Sequence, residues 1–433
     1  MQDFSKEYTH VITSGGIGPT HDDVTFEGVA RAFGEHIFPH PELVAVCKDF
    51  FGTDDLESPK LKLAFIPESS TLHYGTDKTT GEKSRYPVVK VRNVYMFPGI
   101  PRLFEMAFIR LEDLFRNPNK EFFTQELFLA ADEFSITPVL NAANEQFKNR
   151  VTIGSYPDFY NSYYKVKLTL ESESSADIEA VTEFLRTHLP ERSFVEFDHD
   201  PVTHAADQVY HIADGSDAFS VKVRQALRVI EEAFCQYPQD EVCVGFNGGK
   251  DCTALLHLVY AVVCKRKATG GTGIGQLAAL YIRKGQPFPE IELFIRRTKS
   301  RYRLDVVVVD GRIKDALTKL KQTHPGISAV LMGTRRSDPN SNLLKDFSPT
   351  DGDWPPYMRV NPILDWTYSD VWAFIRRLSL PYCVLYDLGY TSLGNMENTH
   401  PNPQLKQVDK NGIVSYRPAY ELSDQDSERA GRN

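Results

Sequence analysis

The sequence predicts an α/β protein of more than one domain, with an open parallel sheet in its C-terminal half. Short apolar strands alternate with helical stretches between residues 242 and 332, a pattern typical of βαβ units. Two strands, near residues 13 and 246, run into glycine loops that are followed by helices. The chain has 433 residues, 41% of them hydrophobic, which is too long for one ordinary core and enough apolar material for two or three.

Changes in pattern divide the chain into four segments. Residues 1–115 open with a strand (10–13), a glycine loop and a helix (23–33). Residues 116–190 alternate strand, helix, strand and helix (127–131, 136–147, 163–170 and 176–189), which predicts a small α+β domain. In residues 191–219 periodicity fades and His, Asp, Pro and Gly accumulate, which predicts a surface linker. Residues 220–433 then form the last domain.

The last domain contains the βαβ alternation. Helices are expected at 221–234, 254–264, 289–302 and 313–324, and strands at 242–246, 277–282, 304–310 and 329–332. The glycine-rich stretch 270–275 has no strand before it, so we interpret it as a flexible loop and not as a nucleotide fingerprint. Because parallel strands point one way, the loops after them gather at one sheet edge, the usual ligand site of such folds.

Composition excludes several classes of protein. The formal net charge is −9 and the isoelectric point about 5.8, without the basic excess that nucleic-acid binding favours. No apolar run approaches the roughly 20 residues that cross a bilayer, and no apolar signal stretch opens the chain. We therefore expect a soluble, cytoplasmic protein without nucleic-acid or membrane partners. The six cysteines are scattered without a C-x-x-C pair, which argues against zinc or disulfides.

The loop Asn247-Gly-Gly-Lys-Asp251 joins a strand to a helix and is suited to phosphate. Backbone N–H groups and the helix dipole point at one anion-sized hollow, and adjacent glycines allow close approach. Lys250 adds a mobile charge, and Asp251 can fix the loop or hold magnesium. A tight structural turn is the alternative interpretation. The spacing differs from the Walker pattern because no Ser or Thr follows the lysine.

The loop resembles the PP-loop of enzymes that break ATP between the α and β phosphates. Four stretches, in the same order, resemble the eukaryotic FAD synthase family: Val244-Gly-Phe-Asn-Gly-Gly-Lys-Asp-Cys-Thr-Ala-Leu-Leu, Leu331-Met-Gly-Thr-Arg-Arg-Ser-Asp-Pro, Asn361-Pro-Ile-Leu-Asp-Trp-Thr-Tyr-Ser-Asp-Val-Trp and Leu385-Tyr-Asp-Leu-Gly-Tyr-Thr-Ser-Leu-Gly. The resemblance implies an open parallel sheet of the PP-loop (adenine nucleotide alpha hydrolase-like) type. It implies an FMN adenylyltransferase that uses ATP, FMN and Mg²⁺ and releases FAD and pyrophosphate. It also implies delivery of FAD to apo-flavoproteins.

The resemblance assigns the ATP phosphates and magnesium to the glycine loop. Its residues are Asn247, Gly248, Gly249, Lys250 and Asp251. Arg335 and Arg336 follow a strand at the same sheet edge, where guanidinium groups can hold phosphate; a solvated charged turn is the alternative. Asp338 recognises flavin or fixes a local Ser-Asp-Pro turn, and both interpretations stay open.

The remaining assignments lie nearer the C-terminus. Asp365 could accept from a flavin ring N–H and Trp366 could stack on the ring, whereas a core tryptophan is the alternative. Thr367 is expected to cap the next helix with Asp370. Arg417, in Tyr416-Arg-Pro-Ala-Tyr, is a candidate contact for the leaving pyrophosphate.

The front segment resembles molybdopterin-binding proteins in the stretch Thr13-Ser-Gly-Gly-Ile-Gly-Pro-Thr-His-Asp-Asp-Val-Thr. This implies a second site at Gly15, Gly16, Asp22 and Asp23, and a weak or lost metal-dependent hydrolysis of FAD. A retained structural loop without activity is the alternative. The first strand of such a domain is expected before residue 10 and is absent, so we interpret this domain as truncated at its start.

Several other functions share some of these features. A PP-loop sulfonucleotide reductase needs a reactive cysteine near the C-terminus, and the last cysteine is Cys383. A PP-loop tRNA-modifying enzyme calls for a basic surface, which the acidic balance disfavours. A nucleotide-binding regulator without turnover is the alternative from outside the enzymes. A molybdenum-cofactor enzyme would have to use the front domain as its main site.

Overall fold

The computed structural model describes residues 1–52, 55, 58–159, 161–269, 276–283 and 285–432. It divides into two compact units, Met1–Phe122 and Phe123–Asn433, which are described separately. The stretch 270–275, interpreted above as a flexible loop, lies outside the described residues. The segment boundaries after residues 115, 190 and 219 stay predictions.

The first unit is built on a four-stranded sheet with the order β1-β6-β5-β4. Its elements are α1 (Gln2–Glu7), β1 (Val11–Ser14), α2 (Thr25–Phe33), β2 (Ile37–Pro39), α3 (Pro41–Phe51), β3 (Phe65–Pro67), β4 (Thr71–His73), β5 (Val88–Val91), β6 (Val94–Phe97) and α4 (Pro101–Leu111). Strand β1 is parallel to β6, whereas β4, β5 and β6 pair antiparallel. The predicted strand, glycine loop and helix are confirmed, because β1 leads through the loop into α2.

The second unit begins with a four-stranded antiparallel sheet, ordered β10-β7-β9-β8, and two helices. Its elements are β7 (Phe123–Leu129), α5 (Glu133–Phe147), β8 (Thr152–Pro157), β9 (Val166–Ser172), α6 (Ser175–His188) and β10 (Phe194–Val195). Alternate residues of β9, namely Val166, Leu168 and Leu170, are buried against the helices. The predicted α+β character is confirmed, but β8 was not predicted because Gly154 and Pro157 interrupt its pattern.

The structure differs from the surface linker that the sequence predicts for residues 191–219. Helix α7 (Ala205–Asp214) lies inside this range, and its residues Ala205, Val209 and Ile212 are buried in the core of the second unit. These positions follow helical spacing. Intervening polar residues lower the average hydrophobicity and concealed this spacing, so the linker prediction is wrong for residues 205–214.

A six-stranded sheet with the order β13-β12-β11-β14-β16-β15 forms the rest of the second unit. Its elements are α8 (Ala218–Gln236), β11 (Val242–Gly245), α9 (Lys250–Ala268), β12 (Ala278–Arg283), α10 (Pro289–Tyr302), β13 (Asp305–Asp310), α11 (Ile313–Thr323), β14 (Ala329–Leu331), β15 (Phe347–Pro349) and β16 (Met358–Val360). Five strands are parallel, and β15 pairs antiparallel with β16. The predicted α/β fold with a parallel sheet is confirmed.

Buried central strands explain why the sheet forms. All residues of β14 are buried, as are the first three of β11, because apolar clusters cover both faces of the sheet. The chain ends with helix α12 (Tyr368–Arg377) and a hairpin of β17 (Lys406–Val408) and β18 (Val414–Tyr416). None of the helices in the described ranges combines the length and apolar character needed to cross a membrane.

Candidate active site

The loop after β11 has a backbone that only glycine adopts easily. Gly248 has φ +78°, and a Cβ there would lie 3.3 Å from side-chain atoms of Ile291 and Ile295. The Asn247 side-chain oxygen accepts a hydrogen bond of 3.0 Å from the Gly249 N–H. Helix α9 begins directly afterwards, so its N-terminus faces the carboxyl edge of the sheet.

The loop after β14 crosses the first turn of α9 at close range. A Cβ on Gly333 would lie 2.9 Å from the backbone nitrogen of Cys252, so a larger residue would force the loop away. This approach brings Arg335 beside Asp251. The rule that parallel strands deliver their following loops to one edge therefore holds at β11 and β14.

Four charged side chains form a cluster at this edge, two buried cations and two partly buried carboxylates: Lys250, Asp251, Arg335 and Glu428. Lys250 and Arg335 are each 2% exposed. The Lys250 Nζ lies 3.0 Å from Asp251 Oδ2, and Arg335 Nε lies 2.7 Å from Asp251 Oδ1. Glu428 contacts Lys250 Nζ and lies 2.6 Å from an Arg335 terminal nitrogen. Two cations and two carboxylates thus share one water-poor site, which makes their interactions strong.

The neighbouring charges of this cluster shift the pKa of Asp251 and the pKa of Arg335. Burial alone would raise the pKa of Asp251, but the charges of Lys250 and Arg335 outweigh it and lower that pKa. Burial would lower the pKa of Arg335, but Asp251 and Glu428 raise it. Both groups therefore keep their charges at neutral pH.

Tyr386 fixes the start of α9. Its buried hydroxyl oxygen accepts a hydrogen bond of 2.7 Å from the Lys250 backbone N–H. Burial raises the pKa of Tyr386, so the hydroxyl stays neutral. No local sequence pattern indicates this contact, because 136 residues separate the two partners.

A cavity of about 570 Å³ opens at the glycine loop. Five of the predicted site residues line it: Asn247, Gly249, Lys250, Asp251 and Asp338. Arg335 does not line it, but its guanidinium contacts Asp251 and Glu428, which do. The cavity is thus continuous with the charge cluster and large enough for part of a nucleotide.

Other predicted residues lie away from this cavity. Arg336 and Asp365 form an exposed ion pair of 2.5 Å, and Arg336 also donates to the Leu344 carbonyl. Arg417 lies 3.6 Å from Glu421 and does not line the cavity. The structure therefore does not bring Arg336, Asp365 and Arg417 together with the glycine loop.

Local contacts bear on two of the alternatives that the sequence left open. Trp366 is 3% exposed and packs against Phe219 and Phe374, so the indole belongs to the core and offers no open face for stacking. Asp338 accepts a hydrogen bond of 2.9 Å from the Arg335 backbone N–H, so it fixes the loop in addition to lining the cavity.

The C-terminal segment supplies residues that the sequence interpretation missed. Glu428, Arg429 and Arg432 line the cavity, and Arg429 lies 3.5 Å from Asp338 Oδ1. Burial and the charge of Arg429 lower the pKa of Arg432. The only available signal was the placement of two arginines three residues apart at the chain end, which is not specific.

The glycine loop of the first unit lines a separate cavity of about 800 Å³. Gly15, Gly16 and Asp23 line it, but Asp22 does not. Gly16 has φ +68°, and a Cβ there would collide with the Thr25 hydroxyl. Asp23 accepts a hydrogen bond of 2.9 Å from the Thr20 N–H, so its carboxylate holds the loop.

Hydrogen bonding also affects the titration of this aspartate. The Thr20 side chain, followed by backbone N–H groups, lowers the pKa of Asp23. Apolar side chains, among them Phe50, Leu103 and Met106, form much of the remaining cavity wall. The structure thus brings three of the four predicted residues of the front site together.

Three family profiles match successive parts of the chain. They are a probable molybdopterin binding domain (residues 2–116), the middle domain of FAD synthase (121–198) and a phosphoadenosine phosphosulfate reductase domain (241–401). Over its whole length the chain is 38% identical to a probable FAD synthase of Caenorhabditis elegans, of which it covers 87%. The chain belongs to the FAD synthase family.

Other FAD synthases match the C-terminal half. A probable FAD synthase of Schizosaccharomyces pombe is 41% identical over 209 residues, which are 48% of this chain and 77% of that protein. The crystal structure of Candida glabrata FMN adenylyltransferase is 26% identical, with a TM-score of 0.49, and the match covers 54% of this chain and 96% of that one. The family predicted from the four motifs is confirmed, together with the PP-loop and molybdopterin-binding-like character of the two α/β parts.

Proposed function

We propose that this FAD synthase carries out AMP transfer from ATP to FMN in the cavity beside Asn247–Asp251. The observation that carries this assignment is the pair of buried cations, Lys250 and Arg335, at the N-terminus of α9. Joining two polyanions requires positive charge held in place before the substrates arrive, because the phosphates repel each other. The cluster meets that requirement in a chain of the FAD synthase family.

The reaction needs no nucleophile from the protein. A terminal phosphate oxygen of FMN attacks the α phosphorus of ATP, a new P–O bond forms, and the bond to the β phosphate breaks. The electron pair of that bond leaves with pyrophosphate. Positioning and charge neutralisation therefore supply most of the rate enhancement.

We assign the phosphates to Lys250, supported by Asn247, Gly248 and Gly249 of the loop. Asp251 holds Lys250 and Arg335 in register through its two oxygens. Arg429 and Arg432 replace Arg417 as candidates for contact with the departing pyrophosphate, because both line the cavity and Arg417 does not.

The cluster also fits a magnesium ion. Asp251 Oδ1 lies 2.7 Å from Arg335 Nε, so a magnesium ion held by this carboxylate would share it with the arginine. Magnesium is typically held by one or two carboxylates together with waters and substrate phosphates. Asp251 would hold the ion, which would neutralise charge on the phosphates of ATP.

Arginine substitutions distinguish the two assignments for the leaving group. We expect Arg432→Met to lower the rate of FAD formation about 100-fold or more, as loss of one charge-stabilising donor does. Arg417→Met should have a much smaller effect. The measurement follows FAD fluorescence and pyrophosphate release in reactions that contain ATP, FMN and Mg²⁺. A large loss with Arg417→Met and none with Arg432→Met would restore the assignment made from the sequence.

A second activity is proposed for the first unit, namely metal-dependent hydrolysis of FAD to FMN and AMP. Its support is the large cavity at Gly15, Gly16 and Asp23. The test uses the full chain carrying Asp251→Ala, so that the second unit does not remake FAD. Incubation with FAD and Mg²⁺ or Co²⁺ should yield FMN, and the additional change Asp23→Ala should abolish it. Absence of FMN with the first variant would contradict the proposal.

Three further predictions rest on the sequence alone. One is recognition of flavin by Asp365, although its carboxylate pairs with Arg336 and does not line the cavity. Delivery of FAD to apo-flavoproteins and a cytoplasmic location also stay predictions.

A further inference from the structure

The Glu428 carboxylate lies where a phosphate group would be expected. One oxygen contacts the Lys250 ammonium group and lies 2.7 Å from an Arg335 terminal nitrogen, and the other oxygen lies 2.6 Å from the same nitrogen. Only 12% of the Glu428 side chain is exposed. An anion held by a lysine and an arginine in a buried site reproduces the contacts that these cations make with phosphate oxygens.

Glu428 lines the cavity and contacts both cations, only one of which lines it. Lys250, Asp251 and Glu428 line the cavity, whereas Arg335 does not. While Glu428 is in place, the two positive and two negative charges of the cluster balance, so the positive charge of Lys250 and Arg335 becomes available to a triphosphate only when the Glu428 carboxylate moves away. A phosphate beside Lys250 would lie close to the Glu428 carboxylate, and like charges at this range repel strongly in a poorly solvated site.

The backbone that carries Glu428 is held firmly. Its carbonyl accepts a hydrogen bond of 2.6 Å from the Thr391 hydroxyl, and the Ser427 carbonyl accepts one of 2.8 Å from the Asn402 side chain. Thr391 and Asn402 are both buried. The Glu428 side chain can therefore leave the two cations by rotation about its own bonds, while the backbone of the segment stays in place.

We propose that Glu428 is an internal anion that occupies a phosphate position in the nucleotide-free enzyme and gives it up when ATP binds. This inference rests on the proposed function. Without nucleotide, Glu428 keeps Lys250 and Arg335 together against their mutual repulsion. When ATP binds, a phosphate replaces the carboxylate, and the returning carboxylate helps to displace pyrophosphate after the reaction. Glu428 is thus a positioning residue that sets the affinity of the site for phosphates.

The test compares Glu428→Gln, Glu428→Asp and Asp426→Asn with the wild-type full chain. Asp426 is an exposed carboxylate two residues away, so Asp426→Asn is a matched change of charge outside the cluster. Calorimetry with pyrophosphate and with a non-hydrolysable ATP analogue, at fixed Mg²⁺, gives the dissociation constants. We expect Glu428→Gln to bind pyrophosphate about tenfold more tightly, because a competing charge is removed. Asp426→Asn should stay within about twofold of wild type.

Two further readouts separate this role from a merely structural one. The unligated Glu428→Gln chain should have a lower Tm, and saturating pyrophosphate should remove most of the difference. In turnover, KM for ATP should fall, and inhibition by pyrophosphate should become stronger. If Glu428→Gln does not fold, Glu428→Asp provides the test, since its shorter carboxylate cannot reach both cations and should also tighten binding.

Three outcomes would decide the matter differently. Unchanged pyrophosphate affinity in Glu428→Gln would overturn the proposal. Weaker binding with a higher Mg²⁺ requirement would also overturn it and would make Glu428 a metal ligand. Failure of the wild-type chain to bind either ATP analogue or pyrophosphate would refute the proposed function instead.

Discussion

Replacement of Arg335 by methionine tests the buried charge cluster directly. The guanidinium is 2% exposed and contacts Asp251 and Glu428, which would be left with Lys250 as their common partner. Removing one partner of a buried ion pair costs about 3–5 kcal/mol, because the remaining charges stay desolvated. We expect the free energy of unfolding of the second unit to fall by this amount, as measured from its urea-induced unfolding transition. The kcat/KM for FAD formation should fall about 100-fold or more.

Acid sensitivity gives the same variant a second signature. The pKa of Asp251 is lowered in the folded protein, so its carboxylate stabilises the fold above the unfolded value of 3.8. That stabilisation is lost as the pH falls through the folded-state pKa. Without Arg335 the folded-state pKa rises, and acid unfolding should begin at higher pH.

The matched control for Arg335→Met is Arg150→Met, at an exposed ion pair of 2.7 Å with Asp177 in the same unit. Arg150→Met should lower the free energy of unfolding by at most about 1 kcal/mol and leave the rate of FAD formation unchanged. A loss below about 1 kcal/mol for Arg335→Met, equal to that of the control, would refute the assignment of strong buried pairing.

Three other substitutions test local features of the site and the adjoining helix. Gly248→Ala should lower the free energy of unfolding by about 1–2 kcal/mol and lower kcat/KM, because Gly248 has φ +78°. The control Gly326→Ala, at a glycine with no atom near the added Cβ, should change neither quantity appreciably. Urea midpoints measure the stability and initial rates measure the activity. Tyr386→Phe should lower the free energy of unfolding by about 1–3 kcal/mol and raise KM for ATP, because the Lys250 N–H loses its buried acceptor. An unchanged urea midpoint would contradict this expectation. Thr367→Ala should cost about 1 kcal/mol through loss of the capping box, with no change in the rate of FAD formation at 25 °C.

Much of the fold is predictable because its signals are local. Helix α10 has the predicted bounds, since proline opens it and buried residues such as Ile291, Phe294 and Ile295 follow helical spacing. The capping box of Thr367 and Asp370 is confirmed for the same reason. Helix α9 begins at Lys250 and not at Ala254, because its polar first turn belongs to the site and has no apolar period to reveal it.

The site is predictable only where its residues are contiguous or follow a strand. Lys250 and Asp251 came from the glycine loop, and Arg335 from the sheet-edge rule. Glu428 reaches Lys250 across 178 residues of sequence, through tertiary contacts that no local pattern encodes.

Two predicted site residues lie away from the cavity for related physical reasons. Arg417 was predicted from its sequence context, but its guanidinium lies near the Glu421 carboxylate, four residues along the chain. Trp366 follows a site motif, yet Phe219 and Phe374 pack around it in the core. Sequence context thus identified the neighbourhood of these residues but did not give the direction of each side chain.

The most direct test of the account is FAD formation from ATP and FMN with Mg²⁺, followed together with pyrophosphate release, for the wild type beside Asp251→Ala. We predict that the wild type produces FAD and pyrophosphate in equal amounts and that the variant loses both. Flavin and nucleotide binding by the wild type without formation of either product would contradict the account and would favour a regulator without turnover.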